Sequence, residues 1–223
     1  PFHGLGRNLV IAKQTGLAGE FYNLTWPGFV GVVQAMAPGR FVVALNQAPL
    51  VRRLALPVYV DWLCNKVKTF TGRRILPVHL LRWVVENCRT YNEAYKMLTE
   101  SPIAIPAIFS LVGTEPGEGC VIERLERRAS VLPAPAAAAN HWLGHEFKRG
   151  KSRGIDSCRR HRMMSGYTVS QVSDFNWLNY PVVNEDTRLA MLANPKAGEL
   201  KAQGFESDGP ATEVFDLRGR GGD

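Results

Sequence analysis

The side chains of this sequence able to do chemistry are few and scattered. His141 and His145 stand at i and i+4 with Glu146 beside His145, a spacing that presents two imidazoles to one zinc ion if all three share a helix face. No third ligand can be named, Trp142 intervenes, and a partly buried or surface histidine pair is the better reading of the spacing. Cysteines 64, 88, 120 and 158 are too far apart for a zinc ribbon or a C-x-x-C redox site, so they read as ordinary thiols that require no oxidising compartment. A secondary amine at Pro1 would suit tautomerase-like chemistry only in a much shorter fold. No glycine-rich phosphate loop is present, which leaves nucleotide binding unsupported and no cofactor implied.

The chain has 223 residues, 45% hydrophobic and 21% charged, enough to bury a core as a single domain over 1–223 with a frayed tail at 218–223. Its longest apolar stretches, such as Leu54 to Leu63, are broken by Pro57 and Asp61 and are too short to span a bilayer. Pro1-Phe2-His3-Gly4 is not a secretory leader, and with unpaired cysteines this suggests the cytoplasm. The formal charge of +7 is concentrated between Lys148 and Arg162, where seven basic residues face one acid, Asp156. Without a helix-turn-helix, finger or aromatic-basic interleave, that segment reads as a solvated loop able to lend an arginine to a site, not as a nucleic-acid interface. A homo-oligomer is left open.

Elements to position these residues follow from periodicity. From Leu9 to Asn46 the pattern is β, with Phe29 to Val33 and Phe41 to Leu45 flanking Ala37-Pro38-Gly39-Arg40, a type II turn signal. The second of these strands is apolar on both faces up to Asn46 and must lie between layers. Val58 to Phe70 and Pro77 to Cys88 read as helix, the latter with apolar residues at i, i+3, i+4, i+7 and i+11, and Asn92 to Leu98 as a further short helix. Ile103 to Val112, Cys120 to Arg124 and Ala129 to Leu132 form a meander turning at Glu115-Pro116-Gly117. A basic helix-like stretch runs from Asn140 to Met164, followed by Val169 to Trp177, a loop and a last strand near Glu213 to Leu217. Strands at both ends with helices between them give an α+β layered domain.

Four strings occur in an order that resembles acid ceramidase and N-acylethanolamine acid amidase, relatives of choloylglycine hydrolase and isopenicillin N acyltransferase. They are Thr25 to Gly31, Ala37 to Gln47, Gly117 to Arg124 and Asn140-His141-Trp142. The resemblance spans roughly Leu9 to Asp156 and implies an N-terminal nucleophile hydrolase: a four-layer αββα sandwich, lacking its first strand in this chain, that hydrolyses or transfers the acyl group of a linear amide. In that family an N-terminal Cys attacks the amide carbon, its own α-amine is the base, and donors hold the oxyanion.

By the same resemblance Asn140 matches the oxyanion-side Asn, Asn46 a strand-end residue lining the site, and Arg160 a downstream Arg, while Trp26, Gln47 and Trp142 line the acyl pocket. Gln47 stands where relatives carry Glu. Arg7-Asn8-Leu9-Val10 looks like the string after the nucleophile, with Val10 in place of Asp, but the same residues also fit the next strand, which would put the true Arg and Asp outside this sequence. Pro1 has no thiol, so no nucleophile can be named. Either a strand bearing Cys is missing from the sequence, or the chain is an inactive scaffold or binding protein on the same fold. The expected partner is a small-molecule acyl amide.

Overall fold

The computed structural model describes residues 4–49, 74–144, 147, 150–167 and 174–218. The helical expectation for Val58 to Phe70, together with Cys64, His145, Glu146, Pro1 and the end of the tail, lies outside the described residues.

The first hairpin pairs β1 (Val10–Gly16) with β2 (Gly19–Thr25), and Gly19 supplies the positive φ of 113° at its turn. The second pairs β3 (Gln34–Ala37) with β4 (Phe41–Gln47) through the expected turn, where Arg40 N donates to Ala37 O at 3.0 Å and Gly39 has φ 69°. Phe29 to Val33 is not the strand read from its apolar run. Pairing starts where the turn pins Ala37 opposite Phe41, and beyond Gln34 the chain leaves the sheet for a helix, with Val32 N donating to Val78 O.

That helix, α1 (Pro77–Asn87), starts with Pro at its first position and buries Leu80, Leu81, Val84 and Val85. The following helix, α2 (Tyr91–Glu100), is capped by Thr90, whose hydroxyl accepts from Glu93 N at 3.2 Å. The meander then follows as β5 (Ala107–Val112), β6 (Gly119–Arg124) and β7 (Ala129–Pro133). The expected strand starts at Ala107 and not at Ile103, which makes an isolated bridge to Ile75 before two prolines' worth of turn, Pro102 to Pro106, is complete. Seven strands form one antiparallel sheet in sequential order β1 to β7.

Sequence reading missed most of a second sheet. In it β8 (Leu189–Asn194), β10 (Gly209–Pro210) and β11 (Phe215–Leu217) all pair with β9 (Glu199–Glu206). The expected basic helix from Asn140 shrinks to α3 (Ser157–Ser165), because the residues from Ala139 to Gly144 run instead across the large sheet.

The layers follow from alternation along the strands. Phe21, Ala35, Phe41, Val43, Phe109, Leu111 and Ile122 pack under α1 and α2. Leu24, Met36 and Val42 point the other way, onto Leu200 and Ala202 of the second sheet. The result is the α+β sandwich expected from the sequence, and its described layers are helices, a seven-stranded sheet and a four-stranded sheet. Among the described residues no helix is long and apolar enough to cross a membrane.

Leu81 is fully buried under α1, whereas Leu17 at the first hairpin turn is 85% exposed. Leu81→Ala is therefore expected to cost about 3 kcal/mol and lower Tm by roughly 6–12 °C, with Leu17→Ala within about 0.5 kcal/mol of the parent, as read by thermal melts.

Candidate functional site

A cleft of about 490 Å³ opens where the end of β4, the start of α3 and the loop before β8 meet. Gln47, Asn140, Arg153, Arg160, Asp186 and Arg188 line it with polar groups, and Leu5 and Ile155 are among its apolar walls.

Asn140 is held at every polar atom that faces protein. Its backbone N donates to Ser157 Oγ at 2.8 Å, and its backbone O accepts from Arg153 N at 3.1 Å. Its side-chain Nδ2 donates to Gln47 O at 2.9 Å, and its Oδ1 accepts from Arg160 Nη2 at 2.9 Å. A guanidinium only donates and a carbonyl only accepts, so these two partners settle which way the amide points. Among the described residues the second Nδ2 hydrogen has no protein acceptor.

Arg160 is fixed in turn. Its Nε donates to Ile155 O at 2.7 Å, and burial lowers its pKa against the opposing pull of Asp186 and Asp156, leaving it a permanent cation. Gly154 leaves room for it, because a Cβ there would sit 3.1 Å from Arg160 Nη2 on a backbone with φ 67°. Asp156, the residue before α3, adopts the left-handed conformation at φ 44° and directs the helix toward the cleft.

The other expected site residues sit at graded distances from this centre. Gln47 lines the cleft, and its side chain is exposed. Asn46 is not a cleft-lining residue; its Nδ2 donates to Ala139 O at 3.3 Å and so holds the chain next to Asn140. Trp142 stacks edge-to-face on Phe147 with ring centroids 5.2 Å apart and packs over Ala48, Ile108 and Val121. Trp26 donates to Leu5 O at 2.7 Å and thereby supports a wall of the cleft from behind. Arg7 is not brought to the cleft: it reaches the exposed Asp208 carboxylate at 3.9 Å.

His141 is engaged with α3. Its Nδ1 lies 2.8 Å from Ser157 Oγ, its ring meets His161 edge-on, and burial, followed by His161 and Arg160, pushes its pKa down. Among the described residues no group of three or more His, Cys, Asp or Glu side chains is placed to hold a metal. Of the thiols described, Cys88 and Cys120 are buried; burial pushes Cys88 up to about 11 and raises Cys120 as well.

Two features escaped the sequence reading. Arg188, Asp186, Thr187 and Asn184 come from the segment read as a loop, where nothing in the local pattern tied them to Asn140. Glu123 and Arg124 are fully buried on β6, and the visible signal was two charges ending an apolar strand.

The helix layer, the two antiparallel sheets and the Asn140 cleft between elements define an N-terminal nucleophile hydrolase fold. The chain belongs to the choloylglycine hydrolase family of linear amide C–N hydrolases, whose family model matches residues 6–134. It is 34% identical to acid ceramidase of Pan troglodytes over 108 residues, 48% of this chain and 25% of that protein. Against acid ceramidase of Mus musculus it is 33% identical over 112 residues, 50% of this chain and 26% of that protein. The matched region thus spans about a quarter of the length of these curated relatives. A solved structure, the Caenorhabditis elegans N-acylethanolamine-hydrolyzing acid amidase ortholog, superposes with a TM-score of 0.60 at 17% identity over 96% of this chain and 89% of that one.

Cys158 is exposed while Cys88 and Cys120 are buried. Iodoacetamide at pH 8 is expected to label Cys158 in the native protein, and Cys88 and Cys120 only after unfolding, as mapped by peptide mass spectrometry. Labelling of native Cys120 as fast as Cys158 would contradict the assigned burial.

Proposed function

We propose that this chain forms the oxyanion side and acyl cleft of an enzyme that hydrolyses or transfers the acyl group of a linear amide. The observation that carries this reading is the placement of Asn140, which lines the cleft with its amide held between Arg160 Nη2 and Gln47 O. The nucleophile in this reading is an N-terminal Cys that the sequence does not contain. Its sulfur bonds to the amide carbon, the carbonyl π electrons move onto oxygen, and the Asn140 Nδ2–H meets that developing charge. When the tetrahedral intermediate collapses, the C–N bond breaks and the amine leaves with the proton that the nucleophile's α-amine took from the thiol. Water or an acceptor amine then takes the acyl group from the thioester.

Arg160 adds a fixed positive charge beside the same oxygen and orients Asn140, which places the electrostatic stabilisation on two side chains instead of one. The cleft volume of about 490 Å³ suits a small-molecule acyl amide. The unpaired thiols Cys88, Cys120 and Cys158 support the cytoplasm as the compartment proposed with this activity. A second reading, an inactive scaffold or binding protein, is favoured by Gln47, an uncharged residue on the cleft wall where the resemblance implies a carboxylate.

The two readings separate in one assay. The protein expressed from its complete natural reading frame is tested for amine release from fatty and aromatic N-acyl amides, beside Asn140→Ala. The enzyme reading expects turnover, a kcat about 10²–10³-fold lower in the variant, and an unchanged melting curve. A folded parent that releases no amine from any of these amides supports the scaffold.

A further inference from the structure

The large sheet carries one row of residues, in register across four strands, whose members are Asn46, Ile108, Glu123 and Ser130. On the face away from α1 and α2, the segment bearing Asn140 runs along this row. Asn46 grips it at one end, through Ala139 O. At the other end the Glu123 carboxylate accepts from two successive backbone amides, Leu143 N at 2.5 Å and Gly144 N at 3.0 Å. Trp142 between the two grips, and Ala138 just ahead of the first, pack onto Ile108, Val121 and Ala48.

Glu123 has no exposed surface, and among the described residues it makes no ion pair. A carboxylate in that position costs free energy unless both oxygens find donors, and the only described donors to it are these two amides of the Asn140 segment. The fit is tight on the loop side too: a Cβ at Gly144 would lie 2.7 Å from Ser130 Oγ and 2.9 Å from Glu123 Oε2. Only glycine lets the loop backbone come down onto the carboxylate.

We propose that Glu123 is a positioning residue of the amide site, acting through Asn140: it fastens the Leu143–Gly144 end of the segment whose other end Asn46 holds, and so sets where the Asn140 amide sits. It touches no substrate. This inference rests on the reading of Asn140 given above, and it names a residue that reading does not use.

The test is a double-mutant cycle of Glu123→Ala and Asn140→Ala on kcat and KM with whichever N-acyl amide is turned over. Glu123→Ala alone is expected to lower kcat about tenfold with KM moving less than about threefold, and to lower it by less than about twofold when Asn140 is already Ala. Glu123→Gln, which keeps one carbonyl oxygen for the loop and serves if the alanine variant does not fold, is expected to fall between parent and alanine. An equal loss in both backgrounds, or full kcat in Glu123→Ala, overturns the proposal. If the parent cleaves no amide, the enzyme reading fails by itself, and amide hydrogen exchange still decides the positioning. Faster exchange at Asn140 as well as at Leu143 and Gly144 in Glu123→Gln is the expected result; unchanged exchange at Asn140 overturns it.

Discussion

A sheet buried on both faces has no water to offer its polar side chains, and this constraint organises the molecule at β6. All six residues of that strand are buried, yet it ends in Glu123 and Arg124. Adjacent strand residues point to opposite faces, so the two charges cannot pair with each other and each must find partners in the layer it faces. Arg124 turns to the helices, where its guanidinium reaches the carbonyls of Leu98 and Ser101 at the end of α2 and of Arg128 in the turn before β7. Glu123 turns the other way, to the backbone of Leu143 and Gly144. One strand end thereby ties the helix layer and the loop of the cleft to the same sheet.

The cleft inherits its rigidity from backbone partners more than from side-chain pairs. Asn140 is bonded to Gln47 O, Ser157 Oγ and Arg153 N, and Arg160 to Ile155 O. Next to Leu5, Glu206 of β9 is buried against the Gly6 amide, and burial would raise its pKa. The amides of Gly6, Gly4 and Arg7 together with Arg188 outweigh that and bring it below the usual carboxylate range. Gly6 N donates to its Oε1 at 2.7 Å, and a Cβ at Gly6 would fall 1.9 Å from Phe205 O, so the turn that carries Leu5 into the cleft lies directly on β9. Two buried carboxylates, one in each sheet, thus hold two chain segments that carry no regular structure of their own.

What the sequence made legible was whatever depends on local pattern. The Pro38-Gly39 turn, the helical periodicity of Leu80, Leu81 and Val84 and the turn at Glu115-Pro116-Gly117 each encode their geometry within a few residues, and each is found in the structure. The second sheet was hidden because Leu189–Asn194 and Glu199–Glu206 are built of Leu, Ala, Met, Lys, Gln and Glu, residues that favour helix when isolated, and only pairing with each other and packing on Met36 and Val42 makes them strands. Asn140 and Arg160 were named by resemblance, and their contact across 20 positions is a tertiary fact that no local pattern encodes. Asn46 was expected to line the site and instead holds its neighbour, a distinction that depends on where Ala139 O falls.

The geometry also bears on Gln47, whose exposed side chain brings no charge to the cleft wall. In this structure the part of residue 47 that engages Asn140 is its main-chain oxygen, at 2.9 Å, and β4 keeps that oxygen in place whatever side chain follows, because Gln47 is paired to Ala107 of β5. A change of side chain at position 47 therefore alters the charge and shape of the cleft wall without removing the main-chain oxygen that holds Asn140, and the orientation of its amide persists.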